Sequence, residues 1–169
     1  MFYEDCEVVP WHKYVWHKHF SLRYSIFSWF AFMNGLKTAD ALAMRGIPAT
    51  PICVFCKAEN ETKNHLFFEC DFTFNILKHC LPRMNYMLLR PNLWQVYFDM
   101  EASESDLNRK SFGFLLISAI VYYTWRARND RIFGNNIECL TTITSKIKKA
   151  VYLKTFKKKC FQSSQLWFT

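Results

Sequence analysis

Four metal-ligating side chains crowd into one short stretch, CVFCKAENETKNHLFFEC, from Cys53 to Cys70. Cys53, Cys56, His65 and Cys70 are spaced C-x2-C-x8-H-x4-C. Two cysteines two residues apart close on a single ion through a tight turn, and a later His and Cys complete a tetrahedron. Three thiolates and one imidazole suit Zn²⁺, which has no d-electron geometry of its own to impose. Four protein ligands leave no open position for water, so the pattern predicts one structural zinc. Taken singly, each cysteine reads as a small buried hydrophobe; the close set of four is what points to metal. A redox C-x-x-C pair needs a strand before it and a helix opening at its first Cys. Here Pro51 precedes the pair and Lys57-Ala58-Glu59-Asn60 follows it.

The spacing also predicts local shape. His65 and Cys70 lie about 1.4 helical turns apart, roughly 140° around a helix axis, and so do not share a face. A short helix capped by Thr62 must therefore bend or end near Cys70 to turn that sulfur back.

The rest of the chain supplies a core. It has 169 residues, 51% hydrophobic and 18% aromatic, with only 4 Gly and 5 Pro. That is too apolar for disorder and, with helical periodicity throughout, predicts a mainly α fold. Three of the 7 cysteines are taken by the metal. Cys6, Cys80, Cys139 and Cys160 show no framework spacing, which predicts reduced thiols in an intracellular protein. Glu4, Asp5 and Glu7 stand where a secretory signal carries basic residues. The uncharged run from Ser111 to Trp125 is shorter than the about 20 residues of a membrane span, so it reads as a buried helix with no membrane partner.

Taken in order, Trp11 and Trp16 anchor the first segment on the core. His12, His17 and His19 read as exposed or stacking histidines rather than a second metal site. Apolar spacing predicts a helix over 21–34 closed by Gly35, and a short one over 39–45 capped by Thr38, burying Leu42 and closed by Gly46. Asp71 is expected to cap a helix that Pro82 stops. Residues 83–92 read as loop, and LWQVYFDM as a short helix. The polar stretch EASESDLN is expected to be a flexible boundary. A long helix follows over about 106–133, a break at Gly134-Asn135-Asn136, and a last amphipathic helix over about 137–159 with the stripe Leu140, Ile143, Ile147 and Val151. The expected domain plan is a zinc-binding unit over 1–100, a long helix packing on it over 101–136, and a basic helical tail over 137–169.

Charge is segregated. Residues 1–120 carry 12 Lys/Arg and 12 Asp/Glu, whereas residues 121–169 carry 10 and 2, so the whole excess of +8 lies near the C-terminal end. Arg126, Arg128 and Arg131 end the long helix. Lys146, Lys148, Lys149, Lys154, Lys157, Lys158 and Lys159 cover the last one. Two readings stay open: a solvated helix face, or a surface that contacts the phosphates of RNA or DNA. KKAVYLKTFKKK also has the composition of a nuclear localisation patch. A membrane-surface role is weaker, with Phe156 and Phe161 its only large anchors near the lysines.

These residues together resemble the zinc-binding domain that follows the reverse transcriptase of plant non-LTR retrotransposons. Trp16 and FSLRYSIFSWFAF resemble its tryptophan and aromatic helix, and LKTADALAMRGI its "L-P-T-x-D-x-L-x-x-R-G-I" connector. CVFC with ENETKNHLFFEC resembles its core, and YYTWRARNDRIF its "W-x-x-R-N-x-x-x-F" block. The resemblance places the metal ligands on Cys53, Cys56, His65 and Cys70. The chain departs from the pattern at Lys37, where the family has proline, and at Lys57, where it has a glycine that eases the turn under the metal. A lysine forced to positive φ there costs about 1 kcal/mol. The resemblance implies a module that holds template RNA or target DNA near a polymerase.

No adjacent aspartate pair of the two-metal polymerase kind is present, and no nucleophile–base pair follows from spacing. The sequence therefore predicts no enzyme and no small-molecule substrate, but a piece of a retroelement protein or a gene derived from one. Alternative roles are a zinc-stabilised scaffold that docks an acidic protein, or a retroelement relic without function.

Overall fold

A 27-residue helix organises the molecule because its middle is apolar on every side. The computed structural model describes residues 9–82, 89–134, 136–162 and 164. In chain order it contains α1 (His12–Val15), α2 (Leu22–Phe32), α3 (Ala39–Ala43), α4 (Asp71–Cys80), α5 (Leu93–Ser103), α6 (Leu107–Phe133) and α7 (Leu140–Thr155). A helical turn, His65–Glu69, precedes α4, and a 3-10 turn, Lys159–Phe161, follows α7. Among the described residues the only extended pairing is one antiparallel bridge, Ile52 to Asn60. The fold is mainly α, as the periodicity predicts.

Every residue from Phe112 to Val121 in α6 is buried. A helix apolar all round is a core helix, and α1, α2, α4, α5, α7 and the last 3-10 turn all pack against this one. At about 40 Å it runs the length of a small domain. No helix among the described residues is long and apolar enough to cross a membrane.

The helix ends follow local chemistry. Asp106 caps α6 by accepting from the Arg109 N–H at 2.8 Å. Asn92 and Gln95 form a reciprocal capping box at the start of α5, an N-x-x-Q signal that the periodicity reading passed over. The left-handed residue closing α2 is Asn34 (φ 53), not the expected Gly35. Gly35 instead donates back to Phe30 O at 2.7 Å, the longer bond of a Schellman closure. Gly46 (φ 69) closes the α3 segment as expected.

The acidic stretch expected to be a flexible boundary is mostly ordered structure. α5 runs on to Ser103, leaving only Glu104, Ser105 and Asp106 to join it to α6, and Glu104 is buried. The loop expected over 83–92 lies outside the described residues for 83–88, as do Cys6 and Asn135. Trp11 anchors as predicted, packed on the core and stacked on Phe32 at 6.1 Å, whereas Trp16 meets the exposed rings of Phe20 at 5.4 Å and Trp29 at 6.4 Å.

The basic helix α7 is part of the body. Ile143, Ile147 and Val151 are buried against α4 and α6. Phe161, considered above as a membrane anchor, is fully buried, with its ring 5.6 Å from Phe112 and 4.8 Å from His19.

One buried polar cluster ties three helices together. Tyr97 of α5 donates to Ser28 Oγ of α2 at 3.1 Å, and its hydroxyl lies 2.8 Å from Ser118 Oγ of α6. All three residues are buried, so removing the hydroxyl strands two serines. Tyr97→Phe is expected to cost about 1–3 kcal/mol, read as a lower urea midpoint with an unchanged slope.

Candidate metal centre

The segment from Pro51 to Glu61 doubles back on itself before the first ligand pair closes. Cys53 N–H donates to Glu59 O at 2.8 Å, and Glu61 N–H to Pro51 O at 2.7 Å. Inside this loop Lys57 N–H returns to Cys53 O at 2.9 Å, and Lys57 itself, at φ 56, redirects the chain as it leaves this turn. The lysine therefore does occupy the left-handed position where glycine eases the turn, at a cost of about 1 kcal/mol.

The second pair is set by a broken helical turn. Thr62 Oγ1 accepts from the His65 N–H at 3.0 Å, the predicted cap. Two residues later the chain leaves helical geometry, at Phe67 (φ −105, ψ 81) and then Phe68 (φ 90, ψ −15). That break swings Cys70 back toward His65. A bulky side chain in the left-handed region costs about 1–2 kcal/mol. Phe67 and Phe68 are both fully buried, and each ring gains about 2–3 kcal/mol from burial, which offsets the strain. Thr73 fixes the bend by accepting from the Phe68 N–H at 3.3 Å and donating to Cys70 O at 3.1 Å. The N-cap of α4 is thus Cys70 itself. Asp71, expected there, lies in the first turn and pairs with Arg90 at 2.8 Å.

These two devices bring Cys53, Cys56, His65 and Cys70 together, with their ligand atoms all within 4.8 Å of one another. Cys56 Sγ lies 3.3 Å from His65 Nε2. Thiolates held about 2.3 Å from a common tetrahedral centre lie about 3.8 Å apart, so the set has the span of one zinc ion. Cys53, Cys70 and His65 are buried and Cys56 half-buried. The imidazole turns its other nitrogen, Nδ1, toward Glu59 Oε2 at 3.4 Å. A carboxylate there fixes the ring so that Nε2 faces the metal. The Cys70 thiol hydrogen-bonds Cys53 and holds it below the ordinary thiol range, while the same bond and burial push Cys70 up. Metal ligation requires such thiols to lose their protons, so affinity at this site falls with falling pH. Among the described residues this is the only cluster of three or more His, Cys, Asp or Glu side chains able to hold a metal. His17 and His19 instead face the rings of Phe114 and Phe161, and burial pulls His17 down to about 4.

The structure redistributes the predicted cationic surface. Arg128 is buried. It forks onto Glu61, with Nε to Oε2 at 3.0 Å and Nη2 to Oε1 at 2.6 Å, so it is an internal strut and not a phosphate contact. Arg131 tucks under the first cysteine pair. Its guanidinium lies over Phe55 at 4.6 Å and Phe72 at 4.8 Å, and donates to Val54 O at 3.3 Å and Glu138 O at 2.8 Å. There it lies within electrostatic reach of Cys53 and Cys70. Arg126 is exposed, 3.9 Å from Asp130. Lys146 pairs with Glu138. Lys148, Lys149, Lys154, Lys157, Lys158 and Lys159 form no ion pair among the described residues; Lys148 is half-buried and the other five are exposed.

Glu61 is the residue that spacing alone did not single out. It is buried and also accepts the Ala39 N–H at 2.9 Å, so it supplies the α3 cap that was expected from Thr38. The Thr38 hydroxyl bonds Asp40 Oδ1 instead. Leu42 is only half-buried; Leu36, Thr38 and Ala39 take the interior positions. The signal for Glu61 lay in two separate blocks, ETKNH and WRARN, whose pairing 67 positions apart no local pattern reveals.

A helical body closed by a buried Cys3His set defines a structural zinc-binding domain. Residues 1–76, which include all four ligands, match the family described as zinc-binding in reverse transcriptase. The chain thus carries a zinc-binding domain associated with reverse transcriptases. The match covers this domain and not a catalytic one, and it stops within α4. No curated protein and no solved structure matches the chain.

Metal analysis of purified protein is expected to give one zinc per chain. Chelation, Cys53→Ser or His65→Ala is expected to lower helical circular dichroism and the melting temperature sharply, because zinc affinity here is folding free energy. Arg128→Met leaves a buried carboxylate unpaired and is expected to cost about 3–5 kcal/mol. Adding Glu61→Gln should return part of that loss, and the double-mutant cycle measures the coupling.

Proposed function

We propose that this chain is a non-catalytic nucleic-acid-binding module derived from a retrotransposon reverse transcriptase protein, of the plant non-LTR type that its motifs resemble. The observation that carries the reading is the row of lysines on and after α7. Lys148, Lys149, Lys154, Lys157, Lys158 and Lys159 lack acidic partners among the described residues and sit in the segment that holds the chain's whole excess of +8. Cations without acidic partners attract a phosphate backbone and release its counterions on binding. Arg126 adds one exposed cation near the start of α7, lining a small pocket with Lys146. Zinc has a structural role here, since all four ligand positions are protein side chains. Within a larger retroelement protein the module would hold RNA or DNA near the polymerase. The basic segment also suits nuclear import.

A second reading, a scaffold for another protein, has one observation in its favour. Exposed Trp94 and Phe98 line an open depression of about 670 Å³ with Val9, Pro10 and Tyr14.

A salt titration separates the two. Because α7 packs into the core, the lysines are best neutralised in place rather than deleted. Replacing the six with glutamine is expected to abolish binding to single-stranded and duplex oligonucleotides. In the unaltered chain the logarithm of affinity should fall linearly with the logarithm of salt, by about 0.7–0.9 per phosphate contact. Absence of binding at about 50 mM salt overturns the nucleic-acid reading.

A further inference from the structure

The outward face of α7 carries more than charge. Tyr152 and Phe156 lie four residues apart, with ring centroids 6.0 Å apart and planes within 22°. They are 47% and 44% exposed, and Leu153 beside them is 57% exposed. Burial of Ile143, Ile147 and Val151 on the opposite face fixes the direction in which these rings point. Lys148 and Lys149 lie one turn before Tyr152, and Lys157 Nζ lies 5.6 Å from the Phe156 ring. One turn earlier on this face is a shallow depression of about 350 Å³ lined by Thr141, Thr142, Ser145, Lys146 and Lys149.

We propose that this face binds a single-stranded nucleic-acid segment, with unpaired bases stacked on Tyr152 and Phe156 and phosphates held by Lys148, Lys149 and Lys157. The proposal rests on the nucleic-acid reading above and deepens it. Flat rings rimmed by cations are the elements of a sequence-tolerant single-strand platform, because every base offers a π-face. A duplex hides those faces in its stack and would leave the two rings against sugar and phosphate. The charge complements a polyanion, and the hydroxyls of Thr141, Thr142 and Ser145 continue the polar track. An anionic lipid surface fits less well. The broad apolar stripe of α7 is spent on the core, and three outward side chains are a narrow anchor. An added peptide strand would find no free backbone edge on a helix.

The test uses the full zinc-loaded chain and fluorescence anisotropy. The probes are an oligothymidine of about fifteen nucleotides, an abasic strand of equal length and charge, a matching duplex, and phosphatidylserine vesicles. Tyr152→Ala and Phe156→Ala are each expected to weaken oligothymidine binding about tenfold. Abasic binding, the salt slope and the melting temperature should not change. Tyr152→Phe, which keeps a ring, should restore affinity. Ring substitutions that change nothing, or that weaken the abasic strand equally, overturn the platform while leaving lysine-dependent binding intact. Tighter binding to the vesicles or the duplex than to oligothymidine also overturns it. No binding of the unaltered chain to any oligonucleotide at about 50 mM salt overturns the underlying reading as well.

Discussion

Convergence of three sulfurs and one imidazole on a common point is the constraint from which the rest of this structure follows. Each half of the ligand set carries local backbone strain. The first needs Lys57 at φ 56 and the second needs Phe68 at φ 90, conformations that side chains of this size rarely adopt. Zinc binding free energy of the order of about 10 kcal/mol greatly exceeds both local costs. The broken turn carries Phe67 and Phe68 into the core as it delivers Cys70. The geometry that places the last ligand is thus also the geometry that buries two large rings. Metal binding and core formation are one event at this point in the chain.

The same economy sorts the basic residues into two kinds. Arg128 and Arg131 sit where a planar, always charged guanidinium can satisfy several acceptors or lie over rings, and both do so inside the structure. The lysines of α7 are compact, strongly hydrated ammonium groups, and they stay at the surface. A count of charge by position treats these residues as equals. Burial divides them: Arg128 and Arg131 brace the zinc domain from below, and most of the lysines face solvent.

Much of the architecture was legible because it depends on short-range rules. The ligand quartet, the Thr62 cap and the long core helix all follow from spacing within a few turns, and the strain at Lys57 follows from the resemblance, which has a glycine at that position. Other elements were misplaced, one of them decided at a distance and two by local choices that composition leaves open. The Glu61–Arg128 pair joins positions 67 apart, and it changes both the cap of α3 and the role of an arginine that seemed free from its helix-end position alone. The acidic stretch after α5 reads as a linker by composition, yet helix propensity carries α5 through Glu101, Ala102 and Ser103. Asn34 takes the left-handed position ahead of Gly35, a one-residue shift that composition cannot resolve because both residues tolerate it.

The zinc domain and the basic helix are joined through α6, which gives the metal a reach beyond its own loop. Glu61 leaves the ligand loop and grips Arg128. Arg131, one turn on, bridges Val54 between the cysteines and Glu138 just ahead of α7. Glu138 in turn pairs with Lys146 in the second turn of α7. α7 itself rests on α4, whose first residue follows Cys70 directly. The outward rings and lysines are therefore carried on a helix braced from both sides by the zinc-stapled body. A surface held in this way loses less conformational entropy on binding than a free basic tail of the same composition. Loss of the ion should then weaken the proposed binding face through the helices that the ion holds in place, without any ligand touching the metal.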